Sequence, residues 1–170
     1  MDPTEEPPDI AAVFDQLRTT RGRVPTMYRV LAHRPEILSA HRAYFHAALD
    51  TGLLSRQFKE KVAFRVALVC GSEYSQASHR RYAVQHGVEE AELQAIEVSD
   101  YEAVDATTRL ALRLVDVTVG GEVEGLTYIW NELAANLTPP ELVELASLIG
   151  VMQLASTLGL IFDLRPDGEI

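Results

Sequence analysis

Residues 59–79, KEKVAFRVALVCGSEYSQASH, gather the side chains best suited to chemistry. Glu60 stands in a stretch that turns apolar through Val62, Phe64, Val66, Leu68 and Val69. A carboxylate there must be paired, hydrogen-bonded or raised in pKa, which makes it a candidate base. Further along, Ser72, Ser75, His79, Tyr82 and His86 fall within roughly 80° of one another at about 100° per helical residue. Opposed across a tight turn at Gly71, the two segments would bring a carboxylate, hydroxyls and an imidazole into one pocket. The chemistry open to such a set is proton transfer. Glu60 is expected to take the proton and His79 to donate or relay it, as the catalytic pair. Ser72 and Ser75 are expected to hydrogen-bond substrate or water, with Tyr82 and His86 extending the pocket.

Each of these residues has a plainer role open to it. Glu60 can sit in an ion pair with a lysine or arginine of another helix, and His79 can be a satisfied core histidine. Ser72 follows a helix-stopping glycine and reads first as an N-cap, and Ser75 can be a small residue that allows close packing. Tyr74 projects to another side of its helix and reads as packing, while Tyr82 and His86 can meet a neighbouring subunit. Cys70 reads as a small buried hydrophobe, its functional alternative being a one-thiol peroxidase that borrows a second thiol. Arg65, in the apolar half of the Glu60 helix, needs a carboxylate partner or an anionic ligand, and a protein acid is the safer expectation. His33, His41 and His46 lack an i, i+4 pair with an acidic third ligand, so no metal site is expected. The acidic pairs Glu89 with Glu90 and Glu122 with Glu124 read as solvated surface.

The elements that must position these groups are helical. Runs of alternating β-branched residues bounded by turns are absent, and helix punctuation recurs along the chain. Helices are predicted over 10–20, 28–32, 35–50, 56–70, 73–86, 89–96, 105–119 and 125–137, with a long one from 139. Ser55, Ser72 and the sequence Thr138-Pro139-Pro140-Glu141 supply the N-terminal signals, and Gly22, Gly52, Gly71 and Gly87 the stops. The 56–70 helix is apolar on nearly every side of its second half and is expected at the centre of the fold.

At 170 residues the chain has room for one domain with a real core. Its 47% hydrophobic and 24% charged residues are those of a folding globular chain. We divide it into an acidic, proline-bearing arm at 1–9, a domain at 10–164 and a tail at 165–170. Fifteen basic against 25 acidic residues leave a net charge of −10, which disfavours nucleic acid and anionic lipid. One cysteine cannot close an internal disulfide or run a two-thiol redox cycle. No secretory leader opens the sequence, so a cytoplasmic location is expected. Residues 145–162 carry no formal charge, but Ser147, Gly150, Gln153, Ser156, Thr157 and Gly159 dilute them and no basic cluster flanks them. That helix is expected to be buried or to face another subunit rather than to cross a membrane.

The spacing from Glu60 through Ser72 and Ser75 to His79 resembles the carboxymuconolactone decarboxylase and alkylhydroperoxidase D-like family, in which a glutamate is followed after eleven residues by Cys-x-x-Cys-x-x-x-His. Both family cysteines are serine here, while the glutamate, the histidine and the intervening Tyr74 remain. The flanks RGRVPTMYRVLAHRPEIL, GLLSRQFKE and HGVEEAEL are also similar, and the likeness runs over roughly residues 10–160. The resemblance implies a single-domain, all-α, AhpD-like helical bundle that assembles as a homo-oligomer, a trimer or hexamer, with pockets near subunit contacts. The family's peroxidase branch uses two thiols that close to a disulfide, a cycle serine cannot enter. Its decarboxylase branch uses acid and base side chains on a lactone carboxylate, a mode open to Glu60 and His79. The expected protein is thus a cofactor-free decarboxylase, lactone-opening enzyme or isomerase acting on a small carbonyl- or carboxylate-bearing molecule. The alternatives are a peroxidase working through Cys70 and a non-catalytic ligand-binding or structural module.

Overall fold

The structure is a computed structural model that describes residues 10–121 and 124–166. The proposed arm at 1–9, Glu122 and the end of the proposed tail lie outside the described residues. Among the described residues the fold is all-α: α1 Ala11–Arg21, α2 Thr26–Leu31, α3 Pro35–Phe45, α4 Arg56–Cys70, α5 Glu73–Gln85, α6 Glu90–Glu97, α7 Ala106–Val119, α8 Leu126–Asn136 and α9 Pro139–Ile161. The punctuation works as side-chain chemistry requires. Ser55 Oγ accepts the Phe58 N–H at 3.2 Å, Asp105 Oδ1 accepts the Thr108 N–H at 2.9 Å, and Glu141 reaches back to the Thr138 N–H at 2.8 Å. Each satisfies a backbone donor that the first turn of a helix leaves without a carbonyl.

Two features depart from the expected helices. The element predicted over 35–50 is α3 followed by a π-helical turn, His46–Asp50, closed by the Thr51 N–H on the His46 carbonyl at 3.1 Å. The cause is tertiary. Glu144 of α9 accepts the N–H groups of Leu53 and Leu54 at 2.7 and 3.3 Å and also pairs with the buried Lys59, which donates to the Thr51 carbonyl. The chain beyond Asp50 is thereby pulled onto α9, and the helix end widens to meet it. A 3₁₀ turn, Tyr101–Ala103, also precedes α7; Tyr101 donates to Asp116 at 2.8 Å and is thereby fixed to that helix.

The core has three parts, and α4 belongs to two of them. Phe58, Val62, Ala63 and Val66 pack with side chains of α7, α8 and α9, while Phe64 packs with α5, α6 and the 3₁₀ turn. The third part joins α1, α2 and α3 to Tyr74 of α5 and Ala155 of α9. Glu60 is carried within this buried helix, so its environment is set by what the packing brings to it. The long α9 has the length and apolar composition of a membrane-crossing helix. In this fold its Leu145, Leu148, Val151 and Met152 enter the core shared with α4, while Val143, Leu154, Leu160 and Ile161 remain exposed.

Candidate functional site

The site is built on the α4–α5 hairpin. Gly71 ends α4 in the left-handed conformation, φ 72°, which a residue with a Cβ adopts only with strain. Ser72 then caps α5, and the two helices run back along each other. Nineteen residues apart in sequence, His79 Nδ1 and Glu60 Oε2 meet at 2.8 Å. Arg56, one turn before Glu60 on α4, holds the other carboxylate oxygen at 2.7 Å and reaches Asp50 Oδ1 at 2.7 Å. The result is a continuous row, Asp50, Arg56, Glu60, His79, leading from the π-helical turn into the hairpin. The plainer reading of Glu60 sought its cation on another helix; the cation is Arg56 of the same helix.

Glu60 is 0% exposed. Burial alone pushes its carboxyl up, but the hydrogen bond and charge of His79 and the Arg56 guanidinium outweigh burial and hold it below the ordinary 4.5. An ionised carboxylate only accepts, so the His79 proton it binds sits on Nδ1. His79 Nε2 then has its lone pair available, with no partner among the described residues.

A cavity of about 50 Å³ lies against α5. Ser75, Ser78, His79, Arg81 and Tyr82 line it from that helix, Met27, Tyr28, Phe45 and Tyr74 supply apolar and aromatic walls, and His41 enters from α3. An open groove of about 710 Å³ adjoins it and shares Tyr28, Phe45 and Tyr82 as common walls. Of the residues proposed from sequence as catalytic or substrate-binding, Ser75, His79 and Tyr82 border the cavity directly. Glu60 stands one residue behind it, in contact through His79. Ser72 does not line the cavity: its Oγ accepts the Ser75 N–H at 3.4 Å as the α5 cap and donates to the Ser75 Oγ at 3.2 Å, and a Cβ at Gly159 of α9 would come within 2.9 Å of it. His86 borders the groove rather than the cavity, its Nδ1 donating to the Tyr82 carbonyl at 2.7 Å. The sequence reading considered His41 only as a metal ligand, and passed over Phe45 and Arg81. His41 and Phe45 come from a helix well before the motif, and no local pattern ties them to it.

The remaining candidates have structural partners. Arg65 binds Asp116 at 2.7 Å, the protein acid expected for it. Tyr74 accepts the Met27 N–H at 3.4 Å and belongs to the core, besides forming part of the cavity wall. Cys70 is half-buried against the α7–α9 core; burial pushes its thiol above the ordinary 9.0, only partly opposed by the neighbouring Ser156 hydroxyl. Among the described residues no group of three metal-ligating side chains converges.

In its fold the chain is an AhpD-like helical bundle, with a buried carboxylate held against an imidazole in its central hairpin. Residues 35–116, which include α3, the hairpin and most of α7, match the model of the carboxymuconolactone decarboxylase family. That is a family of enzymes acting on small molecules. By sequence, no curated protein matches. Among solved structures, an uncharacterized peroxidase-related protein from Silicibacter sp. TM1040 is 18% identical with a TM-score of 0.85, covering 99% of this chain and 89% of that one. The alkylhydroperoxidase AhpD core of an uncharacterized peroxidase-related protein from Ralstonia eutropha JMP134 is 19% identical with a TM-score of 0.83, covering 99% and 90%. An alanine-for-cysteine variant of the debrominase Bmp8, in complex with 2,3,4-tribromopyrrole, is 15% identical with a TM-score of 0.81, covering 95% and 87%. At these identities the likeness is one of fold.

Proposed function

We propose that this protein is a cofactor-free acid/base enzyme acting on a small carbonyl- or carboxylate-bearing molecule, by decarboxylation, lactone opening or isomerisation. The observation that carries the reading is the 2.8 Å contact between the buried Glu60 and Nδ1 of His79 at the cavity wall. It leaves the lone pair of Nε2 for a ligand and supports His79, rather than Glu60, as the group that meets the reacting proton. Glu60 is a positioning residue: it fixes the tautomer and stabilises the imidazolium formed when Nε2 takes a proton. Returning that proton to a carbanionic carbon completes an isomerisation or follows loss of carbon dioxide. Arg81 lines the same cavity and supplies positive charge for a carboxylate in a chain of net charge −10. Ser75 and Ser78 supply hydroxyls for a carbonyl oxygen. The family segment contains all of these residues except the walls from α2 and α9.

The test is turnover of lactone carboxylates by His79→Asn and Glu60→Gln. His79→Asn is expected to lower kcat about 10²–10⁴-fold. Glu60→Gln should lower it less and shift the pH profile of kcat, since the imidazolium loses its counter-charge. Unchanged turnover in both variants would refute the reading and leave a binding or structural module. A peroxidase working through Cys70 predicts instead that Cys70→Ser abolishes hydroperoxide consumption; on our reading the variant retains full activity. We further propose a cytoplasmic homo-oligomer, a trimer or hexamer, supported by the apolar side chains that α8 and α9 leave exposed.

A further inference from the structure

Arg56 meets Glu60 on one oxygen only. A guanidinium beside a carboxylate ordinarily gives one N–H to each oxygen, because its planar fork matches the carboxylate edge. Here Nε and Nη2 both lie 2.7 Å from Oε1, and Oε2 is left to His79 Nδ1 at 2.8 Å. That division is not the one the two donors would reach unaided. The guanidinium is charged at every accessible pH, and a charged donor bonds a carboxylate more strongly than a neutral imidazole N–H does. Free to turn, Arg56 would span both oxygens and displace His79 from Oε2.

The restraint lies on the other edge of the guanidinium. Nη1 donates to Asp50 Oδ1 at 2.7 Å and to the Leu49 carbonyl at 3.4 Å. Because the group is planar and rigid, fixing Nη1 fixes the direction of Nε and Nη2 with it. Asp50 is itself held in place. Its Oδ2 lies 3.2 Å from Nδ1 of His46, and it ends the π-helical turn whose exit Glu144 ties down at the N–H groups of Leu53 and Leu54. The side chains of Asp50 and Arg56 are only 24% and 22% exposed, so their ion pair is partly sheltered from the screening that weakens surface pairs.

We propose that Asp50 is a positioning residue of the acid/base pair: it anchors the Arg56 guanidinium on Glu60 Oε1 and thereby reserves Oε2 for His79 Nδ1. The consequence is a choice of tautomer. With Oε2 as acceptor, the imidazole proton stays on Nδ1 and the Nε2 lone pair is kept for a ligand. With Oε2 taken by Arg56, Nδ1 loses its acceptor, and a proton that moves to Nε2 blocks that nitrogen as a base. This deepens the acid/base reading and rests on it for the use made of the lone pair; the tautomer is a property of the protein without ligand.

The tautomer is read from the ring-nitrogen NMR shifts of His79 in histidine-labelled protein above neutral pH, its signals assigned by their loss in His79→Asn. The wild type is expected to carry the proton on Nδ1. Asp50→Ala releases Arg56 and should make the Nε2–H form the major one. Asp50→Ser, one bond shorter than the carboxylate, should repeat that loss with a polar residue in the turn. Asp50→Asn keeps an acceptor of the original reach for Nη1 and should restore the Nδ1–H form. A purely structural Asp50 would lower the unfolding midpoint and leave the tautomer alone. The proposal is overturned if Asp50→Ala or Asp50→Ser keeps the Nδ1–H form, or if Asp50→Asn loses it as Asp50→Ala does. On lactone carboxylates, Asp50→Ala should lower kcat by less than the roughly 10²–10⁴-fold expected on removing the imidazole, with KM near the wild-type value. The two readings fail separately. A tautomer that changes in Asp50→Ala while His79→Asn and Glu60→Gln keep turnover removes the enzymatic reading and leaves the anchor; an unchanged tautomer with turnover lost in those variants does the reverse.

Discussion

Glu60 shows how a buried charge is made tolerable. Removed from water, a lone carboxylate would take up a proton; here Arg56 and His79 occupy both its oxygens. The arrangement contributes stability with a definite pH dependence. Because the folded state holds Glu60 below 4.5, the contribution is present in full above that value and is lost as pH falls through the lower folded value. Arg56→Met leaves the charge with one partner and is expected to cost about 3–5 kcal/mol at neutral pH. It should also raise the Glu60 pKa, so the acid loss of stability begins at higher pH. Urea unfolding midpoints of both proteins, measured from neutral pH downward, check both effects. Cys70 lies at the opposite extreme. With its thiol pushed above 9.0 by burial, it is expected to react with iodoacetamide at neutral pH more slowly than a free cysteine, as mass spectrometry over time would record.

The hairpin and the π-helical turn carry out most of the positioning. The cap at Ser72 sets where α5 begins, and the rotation of α5 sets which residues reach the cavity. Ser72→Ala is expected to lower stability by about 1 kcal/mol and leave the Glu60–His79 contact in place, readable as a shifted thermal midpoint with an unchanged His79 signal. Gly52 bears on the other side of the site. Its φ of +112° is costly for any other residue, and a Cβ there would run into the Glu144 carboxylate that anchors residues 53 and 54. Gly52→Ala is therefore expected to destabilise by more than the ~1 kcal/mol of an ordinary glycine substitution. It should also loosen Asp50 from Arg56, since that turn presents Asp50 to the guanidinium.

Across the whole molecule, apolar surface is distributed unevenly. Tyr128 is 63% exposed, Val143 66% and Ile161 69%. Between α7, α8 and α9 an apolar groove is lined by Leu114, Leu126, Trp130 and Ile149. A net charge of −10 keeps such a protein soluble but opposes the approach of a second copy, so association has to draw on apolar burial. Trp130→Glu is expected to shift the mass measured by light scattering from an oligomer to the single chain. An unchanged mass would assign the contact to another face.

The local chemistry of the chain was sufficient for much of this protein. Caps, glycine stops and apolar periodicity act over a few residues, and α4 lies over 56–70 as expected, with α5 ending one residue early. The 19-residue separation across one hairpin also brings Glu60 to His79, because two capped helices joined at Gly71 have few ways to pack. What surrounds that pair depends on distant residues. Ser72 shares a helical face with Ser75 and His79, yet it sits against Gly159 of α9 and meets the cavity only through its hydrogen bond to the Ser75 hydroxyl. The local spacing of Tyr28, His41 and Phe45 gives no sign that they wall the hairpin's cavity, and Glu144 holds the chain beyond the π-helical turn that presents Asp50. Hydrogen-bonded helices form from neighbours in sequence, whereas a cavity is the space left where separate helices meet, and its walls are fixed by packing alone.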